Sequence, residues 1–80
     1  MKISTKDLLK LISKSLNVSA KKINEKSKAS QFEEWDSLGH LSIITALDKK
    51  FKGSLNLSEI SETDSVKRII VFLKKKKVLG

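Results

Sequence analysis

Apolar residues recur at helical spacing in three stretches of the chain and interrupt polar sequence everywhere else. In the first, Leu8, Leu11, Ile12 and Leu16 fall on one face, and Ser4 followed by Asp7 resembles a capping box, so a helix is expected over about residues 4–16. Lys2, Lys6, Lys10 and Lys14 stack four apart, away from that stripe, as a solvated face. In the second, Ile44, Leu47 and Phe51 share an arc with Leu41 and Ile43 on its flanks. This predicts a helix over about 37–52, with Asp36 as its N-cap. Leu38, Ser42, Thr45, Lys49 and Lys52 take the opposite arc, so Leu38 faces outward. In the third, Val66, Ile69, Ile70 and Leu73 form the stripe of a helix from Asp64 or Ser65 to about Lys76, with lysines at its negative end.

Two connections join these helices. Residues 17–36 are polar and lack a sustained period, but Val18, Ile23, Phe32 and Trp35 punctuate them. So long a connection in so short a chain is expected to be an ordered loop pinned across the helices by those four side chains. After Gly53, the residues Leu55, Leu57 and Ile60 suggest a loop and one short helical turn near 58–62. The expectation is all-α: a small irregular bundle of three main helices plus one short helix, with residues 1–80 as a single domain.

Composition removes several classes of chemistry. The 80 residues include no cysteine and one histidine, His40, which excludes a disulfide framework, a thiolate metal site and a His-rich metal site. No stretch is long enough to span a bilayer. Lys6, Asp7, Lys10 and Lys14 interrupt any signal-peptide core, and a transit-peptide reading is weaker because the same residues are needed for the first helix. A cytoplasmic, monomeric protein is the expectation. The net charge of +8 raises nucleic-acid binding as an alternative function, that of a small basic helical nucleic-acid-binding protein. The distribution argues against it. No Lys or Arg occurs from Ala29 to Asp48, where Glu33, Glu34, Asp36 and Asp48 are acidic.

The segment FEEWDSLGHLSIITALDKKF, residues 32–51, carries the candidate chemistry. With Asp36-Ser37-Leu38 at a helix start, Ala46-Leu47 within the helix and Phe51 at its end, it resembles the attachment region of acyl and peptidyl carrier proteins. Leu16-Asn17-Val18, Ile23, Ile60, Val66 and Ile70 extend the resemblance over nearly the whole chain. The resemblance implies a non-catalytic carrier. A phosphopantetheinyl transferase would place 4'-phosphopantetheine from coenzyme A on Ser37, and loading and transferring enzymes would exchange acyl or aminoacyl cargo on the arm's thiol. Phosphate at a helix N-terminus meets free N–H groups and the positive dipole end. The arm also supplies the thiol that a cysteine-free chain lacks.

The same resemblance implies docking residues: Asp36 and Leu38, with Glu33, Glu34, Lys49, Lys50 and Lys52 setting the charge of the surface. Ile44, Leu47, Phe51, Ile60, Val66 and Ile70 line the space between the second and final helices, either as a path for an acyl chain or as a closed core. Gly39-His40-Leu41 departs from the residues common in fatty-acid-synthesis carriers, and the lysines ending helix two depart from their acidic docking helix. Both departures are closer to stand-alone carriers of dedicated pathways, such as surface-polysaccharide, lipid-modification or secondary-metabolite assembly. An enzyme built on Ser37 and His40, three apart on one helix, is the competing reading of the motif. It lacks a Gly-x-Ser-x-Gly elbow, and so small a bundle offers little pocket.

Overall fold

The computed structural model describes residues 2–80, which form four helices with no strand among them. The helices are α1 (Thr5–Leu16), α2 (Ser37–Lys50), α3 (Leu57–Ser61) and α4 (Val66–Lys75). The α1–α2 connection is ordered as expected and contains two 3-10 turns, Ala20–Lys22 and Ala29–Gln31. Ile23 and Trp35 in it are buried, and Val18 and Phe32 pack against the core edge. No helix among the described residues is long and apolar enough to cross a membrane.

Local chemistry sets most helix ends. Ser4, Asp36, Asn56 and Ser65 are the N-caps, each accepting a hydrogen bond from a first-turn backbone N–H. α1 stops where Asn17 adopts a left-handed conformation, φ 58°. The Asn17 and Val18 amides then donate to the Lys14 and Ser13 carbonyls, a Schellman closure. α4 ends the same way at Lys77, φ 59°. α2 ends at Lys50 rather than Lys52, because Lys52 (φ 52°) and Gly53 (φ 79°) turn the chain out of the helix.

One core lies among the four helices. Leu8, Ile12, Ile43, Leu47, Ile60, Val66, Ile69 and Leu73 are wholly buried, each contributing roughly 1.5–3 kcal/mol of transfer free energy. Two backbone clasps close the bundle. The Ile3 amide donates to Val78 and the Gly80 amide to Ile3, both at 2.9 Å, so the two ends of the chain are tied together. The Ala29 amide donates to Asp64 at 2.8 Å and the Val66 amide to Ser27 at 3.0 Å, which fixes the long loop against the start of α4.

One part of the helical wheel is corrected. Leu41, expected on the flank of the buried arc of α2, is 56% exposed, whereas Ile43 on the other flank is fully buried. The buried stripe is rotated towards Gly39 and Ile43 because α1 approaches on that side.

Candidate functional site

The chain enters α2 through Asp36, whose backbone is extended and whose Oδ1 accepts from the Gly39 amide at 2.8 Å. The Asp36 carbonyl accepts from the His40 amide at 2.8 Å, closing the first helical turn. Ser37 and Leu38 thus lie in the first turn, where amides have no backbone acceptor within the helix, and unlike Gly39 they are not served by the Asp36 carboxylate. Among the described residues, no hydrogen bond engages either amide or the Ser37 hydroxyl. Ser42, one turn further on, contrasts with this: its hydroxyl donates back to the Leu38 carbonyl at 3.1 Å. Ser37 is exposed, and Leu38 beside it is 75% exposed. The result is a free hydroxyl on a capped helix start, next to an unshielded apolar side chain.

Gly39 is what permits the preceding loop to lie so close to this turn. A Cβ at Gly39 would collide with the Glu34 carbonyl oxygen and stand 2.9 Å from Leu16 Cδ2. The first turn of α2 is therefore seated between the loop backbone and the last turn of α1. A glycine near the start of an otherwise strong helical pattern is the sequence signal for such an approach.

His40 holds the same turn from its other side. Trp35 Nε1–H donates to His40 Nδ1 at 3.0 Å, and His40 Nε2 lies 3.1 Å from the Ile60 carbonyl oxygen. The indole is a donor only, so Nδ1 is the acceptor and Nε2 carries the proton that Ile60 receives. Thr63 Oγ1 also donates to the Ile60 carbonyl, at 2.6 Å, and stands 3.3 Å from His40 Nε2. Both imidazole nitrogens are thus engaged with the loop and α3 rather than with Ser37. His40 is half-buried, and its role as a latch between three segments was not legible in the sequence.

The remaining expected residues fall into two groups. Glu33, Glu34 and Asp36 are exposed around the N-terminal end of α2, and Lys49, Lys50 and Lys52 are exposed at its far end, about 20 Å away at 1.5 Å per residue. Leu38, Leu41, Ser42, Thr45 and Lys49 share the outward face, which changes from apolar to hydroxyl-bearing to basic along its length, and Lys52 lies exposed just beyond the helix end. Thr45 hydrogen-bonds back to the Leu41 carbonyl at 2.8 Å, as Ser42 does to Leu38. The middle of that face therefore spends its hydroxyl protons on its own helix. The second group, Ile44, Leu47, Phe51, Ile60, Val66 and Ile70, is brought together and packed into the core, every member 8% exposed or less.

No protein-family model matches the chain, and no curated protein or solved structure is significantly similar to it. The chemistry of the site rests on its own residues. No cluster of three or more His, Cys, Asp or Glu suited to a metal ion occurs among the described residues. The α2 N-terminus can accept an anionic substituent on Ser37. Its free amides and dipole favour it, while exposed Glu33, Glu34 and Asp36 oppose it weakly through solvent.

Proposed function

We propose that this chain is an acyl carrier protein, non-catalytic in itself, that carries cargo as a thioester on 4'-phosphopantetheine attached to Ser37. The supporting observation is the state of Ser37: exposed, free of intrachain hydrogen bonds, and first in a helix that Asp36 already caps. A serine needed as a cap would be bonded in the manner of Ser4 or Ser65. In the attachment step, Ser37 Oγ forms a bond to the phosphorus nearest pantetheine in the coenzyme A pyrophosphate. The P–O bond to the nucleotide half breaks, and the serine proton passes to a base of the transferase. Cargo is then held on the thiol of the arm.

Exposed Leu38 and Leu41 supply an apolar contact for the transferase and for the enzymes that load and unload the arm. The basic far end of α2 favours partners with an acidic zone opposite Lys49, Lys50 and Lys52, hence a dedicated pathway rather than general fatty-acid synthesis. Charge of this kind governs encounter rate and selectivity more than final affinity. Intact-mass measurement after incubation with coenzyme A and a broad-specificity phosphopantetheinyl transferase tests the proposal. One added arm supports it, and an unchanged mass with active transferase contradicts it.

A further inference from the structure

A second surface, with no lining residue from α2, carries chemistry that the carrier role does not use. Three adjoining depressions follow the seam between residues 25–30 and α4: Lys67 lines all three, while Lys28 joins the first to the second and Lys26 the second to the third. Together they form one trench. Arg68 stands at one end and Lys74 at the other, where Ile70 and Val71 contribute an apolar floor. Five cations thus face two acids, Glu25 and Asp64, and Asp64 already pairs with Arg68 at 3.4 Å. The walls are fixed relative to each other by the backbone clasp of Ala29 to Asp64 and Val66 to Ser27.

The geometry points to this trench as a docking site for an acidic protein segment that carries an aliphatic side chain. From Ser65 to Lys74 the trench runs about 14 Å, the reach of roughly four extended residues. Lys26 and Lys28 stand on one wall and Lys67 and Lys74 on the other, so carboxylates alternating along an extended strand meet a cation on either side. Val71, 46% exposed between those lysines, offers the contact for the aliphatic side chain. Single-stranded nucleic acid would need a stacking platform, and the trench has no aromatic residue: Trp35, Phe51 and Phe72 are buried in the core and Phe32 is at its edge. A membrane surface would need large apolar side chains standing proud, whereas here Ile70 is recessed and Val71 is flanked by lysines.

Amide chemical-shift mapping on the full, unmodified chain tests this independently of any modification of Ser37. The probe is the peptide acetyl-Glu-Glu-Leu-Glu-Glu-Leu-Glu-amide, titrated at low and at physiological salt. Shifts should be confined to residues 25–30 and 65–74. The dissociation constant should rise at least about fivefold in the double variant Lys28→Glu with Lys67→Glu, and about two- to threefold in Val71→Ser. The same spectra report whether each variant is folded, and Lys67→Gln provides a milder step in the same direction. Replacing both leucines of the peptide by serine should weaken binding in the parent but not in Val71→Ser. Shifts centred on Lys6, Lys10 and Lys14, or an affinity unmoved by the charge reversal, would overturn the assignment. Tighter binding of oligothymidylate or of phosphatidylglycerol vesicles at these residues would overturn it equally.

Discussion

The indole N–H of Trp35 donates to His40 Nδ1 at 3.0 Å, and this bond ties the end of the long loop to the first turn of α2. The rings also lie nearly parallel, with centroids 6.2 Å apart and planes 26° from each other. Trp35 is 4% exposed, so its donor has little water to turn to if His40 is removed. Replacing His40 by Phe keeps a ring in place but orphans that donor, which costs about 1–3 kcal/mol. The Ile60 carbonyl is less affected, because the Thr63 amide and hydroxyl still donate to it. Urea unfolding measures the loss, and His40→Gln should recover part of it through its amide oxygen. A Phe variant as stable as the parent would show that the latch contributes nothing.

Gly39 is the second position on which the site depends. In Gly39→Ala the new methyl meets the Glu34 carbonyl and Leu16, so either the loop or the helix start must move. Overpacking of this kind costs typically 1–3 kcal/mol, and alanine's gain in helix propensity of up to about 1 kcal/mol offsets only part of it. The amide signals of Glu34 through His40 should shift together. A variant more stable than the parent, with those signals unmoved, would contradict the close approach.

These two positions also mark where the sequence stops being readable. Ser4, Asp36 and Ser65 were legible as helix starts because a cap is a contact over three residues, made within one segment. The stripes of α1 and α4 were legible because burial follows a 3.6-residue period. Leu41 was misplaced because the wheel gives the width of an apolar arc but not its rotation about the helix axis. That rotation is set by α1 packing against Gly39. The His40–Ile60 bond and the Ile3–Val78 clasp join residues far apart in the chain, the Trp35–His40 bond crosses from loop to helix, and none of them has a periodic signal. At the candidate site, Ser37 and Leu38 were legible from the motif and from facing outward. The hydrogen bonds and close packing around them were not.

The charge gradient along α2 leads to a prediction about partners. Reversing Lys49, Lys50 and Lys52 to Glu should improve loading by enzymes whose docking patches are basic and slow loading by the cognate enzyme. All three are exposed, so stability should change by no more than about 0.5 kcal/mol. Leu38→Ala should slow both classes of enzyme, since the apolar contact is common to them. Initial loading rates at low and physiological salt separate the two effects. Equal rates for parent and reversed protein would remove charge as the selector of pathway.

Cargo placement follows from the packing of Ile44, Leu47, Phe51, Ile60, Val66 and Ile70. These side chains fill the core, and an acyl chain entering among them must displace close contacts. The long-chain acyl form and the free-thiol form should therefore melt within about 2 °C of each other, less than the 4–8 °C that 1 kcal/mol produces in a domain of this size. Calorimetry on the two forms decides the matter. A rise of several degrees on long-chain loading would show that the core opens to hold the chain.

The attachment of 4'-phosphopantetheine to Ser37 is the central claim, and localising the added mass tests it most directly. The chain is incubated with coenzyme A and a broad-specificity phosphopantetheinyl transferase, digested, and its peptides sequenced by mass spectrometry. One arm should be found on Ser37 alone. Ser37→Ala should abolish it while leaving the fold intact, because no intrachain hydrogen bond is lost. Modification of Ser42 or any other serine, or an unmodified chain after treatment that fully converts a known carrier, would contradict the account.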